Sequence, residues 1–407
     1  MSSSELDAAR DVLSKYYQAA EPLAGVHIVT FQPLANKASQ DRVVVQQWDI
    51  AGQKWLFLAV FDGHAGEATV EYTVQEFPVR LQAALSALPA EQLSRDAALA
   101  DTGAMASLLT TEVEKFDASL GEVVKALCPN PAALTDEQGK VIAENNVEIL
   151  QRALYGTTVA VALVNTAAQL LWSVGLGDYT VLLISDGENG KPEYEVLNEQ
   201  HGTTNEAEAA RVMSEHPDEP NAIAFGFGAQ RVLGCINLTR AIGDFAFKLD
   251  KSYLEKLMLH AHDAPPKGLL RVLEHSQTPP YLSGTPHVRF VDLSAYTAPK
   301  VVLYSDGVDA IIRTAFRDPP DESIDVAEAF ARLLYPQTSM SEVEKTLGND
   351  VQPCWHKNVA VDLLGHIAGG TDVARLRRIT DQAGLAKMDP YVDDTSLIVV
   401  DLDVARS

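Results

Sequence analysis

Residues 55–66 read WLFLAVFDGHAG, an uncharged run from Trp55 to Phe61 that stops at Asp62-Gly63-His64-Ala65-Gly66. A run of this length, rich in aromatic and aliphatic side chains and bounded by turn residues, reads as a strand covered on both faces. The same arrangement of an apolar strand meeting an aspartate recurs. Val301–Ser305 runs into Asp306-Gly307, and Leu171–Leu176 runs into Gly177-Asp178. Asp393-Asp394 stands just before Ser396–Val400, and Gln40-Asp41 just before Val43–Val45. Each alone is explained as a hairpin or loop corner, because Asp-Gly is a strong turn signal and Asp caps backbone donors. Together they fit a second reading, in which the strand ends of a shared core carry their carboxylates to one rim. Spacing leaves both open.

Further strands are expected at Thr158–Val164, Leu170–Val174, Thr180–Ile184 and Val301–Tyr304. Between them, Met105–Leu127 places Leu108, Leu109, Val113, Phe116, Leu120, Val123, Val124 and Leu127 largely on one helical face. Thr203 and Glu206 have capping-box spacing before a helix at Ala207–Met213. Val326–Leu334 and Asn358–Ile367 also read as helices. Strands from both ends of the sequence favour one α+β domain over two independent ones. The Pro265–Pro266, Pro279–Pro280 and Pro319–Pro320 pairs read as long loops over its core.

Charge and composition narrow the function classes. Among 407 residues, 56 Asp and Glu oppose 32 Lys and Arg, a net charge of −24. An acidic field of that size argues against a nucleic-acid partner, which needs clustered basic residues. At 46% hydrophobic and 22% charged the chain has the composition of an ordinary globular protein. No apolar run approaches the roughly 20 residues that cross a bilayer, so no membrane partner is expected. The N-terminal residues lack the apolar core of a secretory signal, and Glu5, Asp7 and Asp11 do not suit a mitochondrial presequence. Cys128, Cys235 and Cys354 are odd in number and far apart, as free thiols in a reducing compartment would be. A monomeric cytoplasmic protein is expected, with a nuclear location as the second choice.

Several standard sites are absent from the sequence. There is no C-x-x-C, H-E-x-x-H, Walker-type G-x-x-x-x-G-K or G-x-S-x-G pattern. Gly226 and Gly228 begin a G-x-G-x-x-G pattern, but Arg231 occupies its third glycine position. Cys235 and Arg240 stand one residue too close for a cysteine-based phosphatase. What remains is the set of aspartates. Converging carboxylates repel one another unless protonated or neutralised by cations. Oxygen-only ligands select hard ions such as Mg²⁺ or Mn²⁺, and a pair of such ions can activate water and clamp phosphoryl oxygens.

At this point the residues resemble the metal-dependent protein serine/threonine phosphatases of type 2C. The match is an ordered series: Phe61–Gly66 resembles F-D-G-H-[GA]-G, and Gly156-Thr157-Thr158 resembles G-[ST]-T. Val174–Asp178 resembles a strand ending in G-D, and Thr239–Asp244 resembles [ST]-R-A-x-G-D. Ser305-Asp306-Gly307 resembles S-D-G, and Asp393–Ser396 resembles D-[ND]-x-[ST]. The resemblance implies a central β-sandwich of two antiparallel sheets flanked by helices. It implies one phosphatase domain over residues 1–407, its core at about 24–403, with insertions near 200–232, 250–286 and 317–357. By the same resemblance Asp62 would bridge two Mg²⁺ or Mn²⁺ ions and the Gly63 carbonyl would ligate one. Asp306 and Asp393 would complete the other, Asp41 would act through coordinated water, and Asp178 with Asp306 matches a weaker third site. A metal-activated water would attack phosphoserine or phosphothreonine of a phosphoprotein substrate without a phosphoenzyme. His64 matches the general acid, to which an imidazole is suited.

Some positions depart from that pattern. Asn36 stands where many members carry a phosphate-binding Arg, leaving Lys37 as a point charge without the bidentate fork. Gln40 replaces a common glutamate, and Ala310 replaces an acid, with Asp309 one place early. Asn36, Ala65 and the stretches 201–217, 278–288 and 366–371 resemble more narrowly the pyruvate dehydrogenase phosphatase-like branch. Arg240 is expected to make a structural ion pair; His201 and His216 are expected at the surface or in packing. Two rivals stand beside the phosphatase reading, a pseudophosphatase that only binds partners and a metal-dependent hydrolase of small phosphoesters.

Overall fold

The computed structural model describes residues 3–187, 191–262, 267–335, 340–350 and 356–405. Its strands in chain order are Tyr17–Leu23 (β1), Val26–Phe31 (β2), Asp41–Ile50 (β3), Gln53–His64 (β4) and Gly156–Thr157 (β5). Val159–Asn165 (β6), Leu170–Leu176 (β7), Thr180–Asp186 (β8), Pro192–Val196 (β9) and Ile223–Gly226 (β10) follow. Ala229–Val232 (β11), Ile242–Gly243 (β12), His287–Asp292 (β13), Lys300–Tyr304 (β14) and Thr395–Asp401 (β15) complete the set. One sheet has the order β1-β2-β15-β14-β8-β9. The other has the order β12-β5-β4-β6-β7-β13, with β3 also on β4. Pairing within both sheets is antiparallel, and β10 and β11 form a separate hairpin. The expected α+β sandwich of two antiparallel sheets is the observed fold.

Burial on both sides explains why β4 shows no polar alternation. Leu56, Leu58 and Val60 face the other sheet, meeting Val181, Leu183, Val301, Leu303, Ile398 and Val400 in the inner core. The alternate residues Trp55, Phe57, Ala59 and Phe61 face outward, under the helices Ala68–Ser86 and Thr102–Leu127. On the opposite side Val302, Tyr304, Leu397 and Val399 are covered by the helices Val326–Leu334 and Val359–Ala368. The result is four layers with helices outside.

Several expectations need correction. The Asp62-Gly63-His64 segment continues β4 rather than turning, and the chain bends only at Ala65, which has φ 64°. The helix at Glu206–Glu215 is capped by Asn205, whose side chain accepts from Ala207 N–H. Thr203 Oγ1 instead lies at hydrogen-bond distance, 2.7 Å, from both the Gln230 carbonyl and the Asn237 side chain. The helix Thr102–Leu127 buries Leu109, Val113, Phe116, Leu120 and Val124 of the expected stripe, half-buries Leu108 and Leu127, and leaves Val123 47% exposed. The segments expected as loops carry helices at Lys251–Lys256, Lys267–His275 and Met340–Leu347. Pro265, Pro266 and Cys354 lie outside the described residues, while Cys128 and Cys235 are free thiols. Among the described residues, no helix is long and apolar enough to cross a membrane.

Trp55 stacks on Trp172 with ring centroids 5.8 Å apart, and both are fully buried beneath the helical layer. Trp55→Ala is expected to lower the unfolding free energy by about 3–5 kcal/mol, the range for a deleted core aromatic. Urea denaturation followed by circular dichroism checks it; a loss below 1 kcal/mol would contradict the packing.

Candidate active site

The antiparallel register fixes the first pair of acids. Asp41 opens β3 directly opposite Asp62 near the end of β4. The end of β14 and the start of β15 bring Asp306 and Asp393 to the same end of the sandwich, and the β7–β8 turn brings Asp178. Asp62, Gly63, His64, Asp178, Asp306 and Asp393 line one cavity of about 560 Å³. Asp41 lies behind Asp62, 3% exposed, and its Oδ2 accepts from Ser305 Oγ at 2.7 Å. Its Oδ1 is buried without a hydrogen-bond partner among the described residues. Of the two readings left open by spacing, the rim of carboxylates is the one the fold adopts.

Crowding has an electrostatic signature. Burial first, then the charge of Asp41 and Asp306, holds Asp62 well above the usual carboxylate range. Asp306 is raised likewise by burial and by Asp178 and Asp393. Burial, with smaller contributions from Asp394 and Asp393, pushes Asp41 up to about 7 against its hydrogen bond from Ser305. Charges so placed favour proton uptake or a cation. The donor set is all oxygen, and the orphaned Asp41 Oδ1 sits where a further electropositive partner is wanted. Among the described residues no three such side chains close into a ready-made cage; the acids share a cavity instead. By donor chemistry they fit a hard divalent cation.

Backbone details hold these side chains. A Cβ on Gly63 would meet Val70 Cγ1 at 2.8 Å and the Gln40 carbonyl at 2.9 Å, so only glycine lets the helix Ala68–Ser86 approach. Asp62 N–H donates to Thr158 Oγ1 at 3.2 Å, and Thr158 N–H returns to the Asp62 carbonyl at 2.8 Å. Ser305 Oγ also accepts from Ser396 N–H at 3.0 Å, locking β14 and β15 together beside the acids. Asn237, fixed by Thr203, hydrogen-bonds Asp178.

His64 has a partner that motif reading did not assign. Its Nε2 lies 2.7 Å from Asp244 Oδ2, across 180 residues of chain. A Cβ on Gly156 would fall 2.2 Å from both groups, so Gly156 makes the space for their contact. Asp244 takes the left-handed φ of 54°, a conformation Asp tolerates better than most residues. Behind it, Asp117 accepts from Gly243 N–H at 2.9 Å and pairs with Lys248 at 2.7 Å, both side chains being buried. Burial pulls the His64 imidazole down, but the charge and hydrogen bond of Asp244 more than reverse this, leaving its pKa raised.

The chain matches the family model for protein phosphatase 2C over residues 35–313. It belongs to the protein phosphatase 2C family. It is 27% identical over 282 residues to an Arabidopsis thaliana protein described as probable protein phosphatase 2C 40, covering 68% of this chain and 52% of that one. Mitochondrial pyruvate dehydrogenase phosphatases are also similar. The Saccharomyces cerevisiae phosphatase 1 is 27% identical over 166 residues, 40% of this chain and 28% of that one. The human phosphatase 2 is 24% identical over 267 residues, 62% of this chain and 48% of that one. The chain thus spans about half or less of the length of these relatives.

The remaining expected residues fall at different distances from this protein phosphatase 2C cavity. Lys37 is exposed on its rim, while Asn36 does not line it. Arg240 makes the expected structural pair, reaching Glu208 at 2.5 Å, and Glu208 also holds Arg211. Asp309 pairs with Arg313 at 3.0 Å. His201 and His216 are packing residues and are buried, not superficial. His216 stacks on Tyr281 at 4.2 Å. His201 Nδ1 accepts from Gly177 N–H at 3.2 Å and so braces the turn before Asp178.

Burial, with Arg240 nearby, pushes His201 down to about 3. Below its unfolded value near 6.5 the unfolded chain takes up a proton that the folded chain refuses, so this contribution is present above pH 6.5 and lost as pH falls. Between pH 6.5 and 5 the wild type should lose roughly 1–2 kcal/mol more than His201→Asn, which keeps an acceptor for Gly177 but does not titrate. Paired urea titrations check this; parallel pH profiles would contradict it.

Proposed function

We propose that the chain is a divalent-metal-dependent phosphatase acting on phosphoserine and phosphothreonine in proteins. The observation that carries this reading is the position of His64, held by Asp244, on the wall of the cavity lined by Asp62, Asp178, Asp306 and Asp393. A poor alkoxide leaving group needs a proton donor beside the phosphoryl site, and here one stands among cation-seeking acids. Asp62 would be shared by two cations, with the Gly63 carbonyl on one and Asp306 and Asp393 on the other. Asp41 would act from behind through solvent, and Asp178 with Asp306 would serve a weaker third position. When bound, Mg²⁺ or Mn²⁺ supplies the positive charge that activates water and neutralises phosphoryl oxygens.

The chain's own groups account for the rest. Among the described residues no Cys or Ser lines the cavity, and Thr158 Oγ1 is already engaged by Asp62 N–H, which supports direct attack by water. Asp244 occupies Nε2 of His64, which leaves Nδ1 to protonate the departing Ser or Thr oxygen. Asp244 thus acts through His64 as a positioning residue, and Gly156 keeps the two in contact.

The purified chain with Mn²⁺ should release phosphate from a phosphothreonine peptide and from p-nitrophenyl phosphate, falling to background with EDTA or Asp62→Ala. No turnover with either metal would sink the enzyme reading in favour of a binding module, and turnover on the aryl ester alone would favour a small-phosphoester hydrolase. His64→Ala should slow the peptide by roughly 10²–10⁴-fold, the usual yield of a general acid, and the good-leaving-group ester far less. Asp244→Asn should show the same split in weaker form. Equal losses on both substrates would remove the proton-donor role.

A further inference from the structure

The unfinished glycine pattern at residues 226–231 builds the β10–β11 hairpin. Gly226 pairs with Ala229 across a two-residue turn in which Phe227 has φ 50° and Gly228 φ 87°, both in the left-handed region that tight hairpins need. The hairpin is tied down at its base. Leu233 N–H donates to the Ala222 carbonyl at 3.0 Å, Val232 N–H to that of Ile236 at 2.8 Å, and Thr203 Oγ1 to that of Gln230 at 2.7 Å. Arg231, on the second strand, lines the carboxylate cavity.

Among the described residues its side chain lacks the polar partner that cations nearby have; even Arg271, which approaches the same Phe227 ring and makes no ion pair among them, donates to the Gly234 carbonyl at 3.0 Å. Arg42 is held by Glu71 at 2.5 Å, Arg240 by Glu208 and Lys248 by Asp117. Arg231 makes no ion pair among the described residues, and its Nε is buried without a hydrogen-bond partner. A buried guanidinium donor left unpaired is costly. Its guanidinium carbon lies 5.9 Å from the Phe227 ring centroid, so the tip aromatic flanks it without satisfying its donors. A guanidinium with an unpaired donor, on the wall of a cavity whose acids call for cations, is suited to a dianion with tetrahedral oxygens. Lys37, the other lysine or arginine on that wall among the described residues, is exposed and offers only a point charge.

We propose that Arg231, carried to the cavity by the β10–β11 hairpin, binds the phosphoryl group of the substrate and of the product phosphate. The assignment rests on the phosphatase reading for its substrate, but its binding test does not require turnover. Inorganic phosphate is titrated by calorimetry into the Mn²⁺-loaded full chain, wild type, Arg231→Ala, Arg231→Lys and Lys37→Ala. Steady-state kinetics on the phosphothreonine peptide accompany the titrations. Arg231→Ala should weaken phosphate binding and raise KM by tenfold or more with a smaller change in kcat. Arg231→Lys, which keeps the charge and the aliphatic stem, should recover part of the loss, while Lys37→Ala should change phosphate affinity by less than threefold. Phosphate affinity of both Arg231 variants within twofold of wild type overturns the assignment, as does a peptide KM change without any change in phosphate affinity. A wild type that binds phosphate through Arg231 but does not turn over leaves the assignment standing and sinks the phosphatase reading alone. An active chain indifferent to Arg231 does the reverse.

Discussion

Asp41 faces Asp62 across an antiparallel strand pair, the first buried and the second half-buried at the cavity wall. Like charges directly opposite one another destabilise a sheet, and burial deepens the penalty. The pair is held because β3 and β4 continue for many residues beyond it, with Leu56, Leu58 and Val60 in one core and Trp55, Phe57 and Phe61 in another. Slipping the register by one residue to separate the acids would turn every side chain of β4 to the wrong layer. The apolar interior therefore imposes an electrostatic conflict at its own end. Ser305, Thr158 and Gly63 are local adjustments to that imposed geometry.

Around this centre the cations are distributed with little slack. Lys248 neutralises Asp117 in the helix Thr102–Leu127, and Asp117 in turn fixes the Gly243 amide beside Asp244. Glu208 gathers Arg211, Arg240 and Thr239 on the neighbouring segment. Buried ion pairs of this kind contribute less to stability than to a single arrangement, because each partner left alone would be a strongly disfavoured charge. The acids of the cavity are the exception. They are pressed together, and among the described residues none of Asp62, Asp178, Asp306 and Asp393 makes an ion pair with the Lys37 or Arg231 that share their cavity.

Much of this was legible in the sequence because its signals are local. β4 announces itself by an uncharged run too short for a membrane, and the acids stand next to apolar strands. The edge strands were not legible: β1 and β9 are largely exposed, and Pro and Glu interrupt their apolar residues, so no periodicity marks them. The helix Ala68–Ser86 contains Pro78, which weakens the helical pattern that packing against β4 restores. Asp244 sits inside a recognisable motif, yet nothing near it tells that it reaches His64, because the contact depends on a left-handed backbone and on the missing side chain of Gly156. A position that must be empty leaves a faint trace in one sequence.

The order of strands also governs when the cavity can exist. β15 lies between β2 and β14, pairing with both, so the last strand of the chain fills the middle of a sheet whose flanks are made much earlier. During synthesis, β2 and β14 each present an unpaired edge until residues 395–401 leave the ribosome, and Asp393 arrives with them. Domains assembled from such distant segments close late and slowly. A nascent or prematurely halted chain accordingly has neither a sealed sheet nor a complete set of cavity acids, and the topology itself delays the cavity until translation has passed β15.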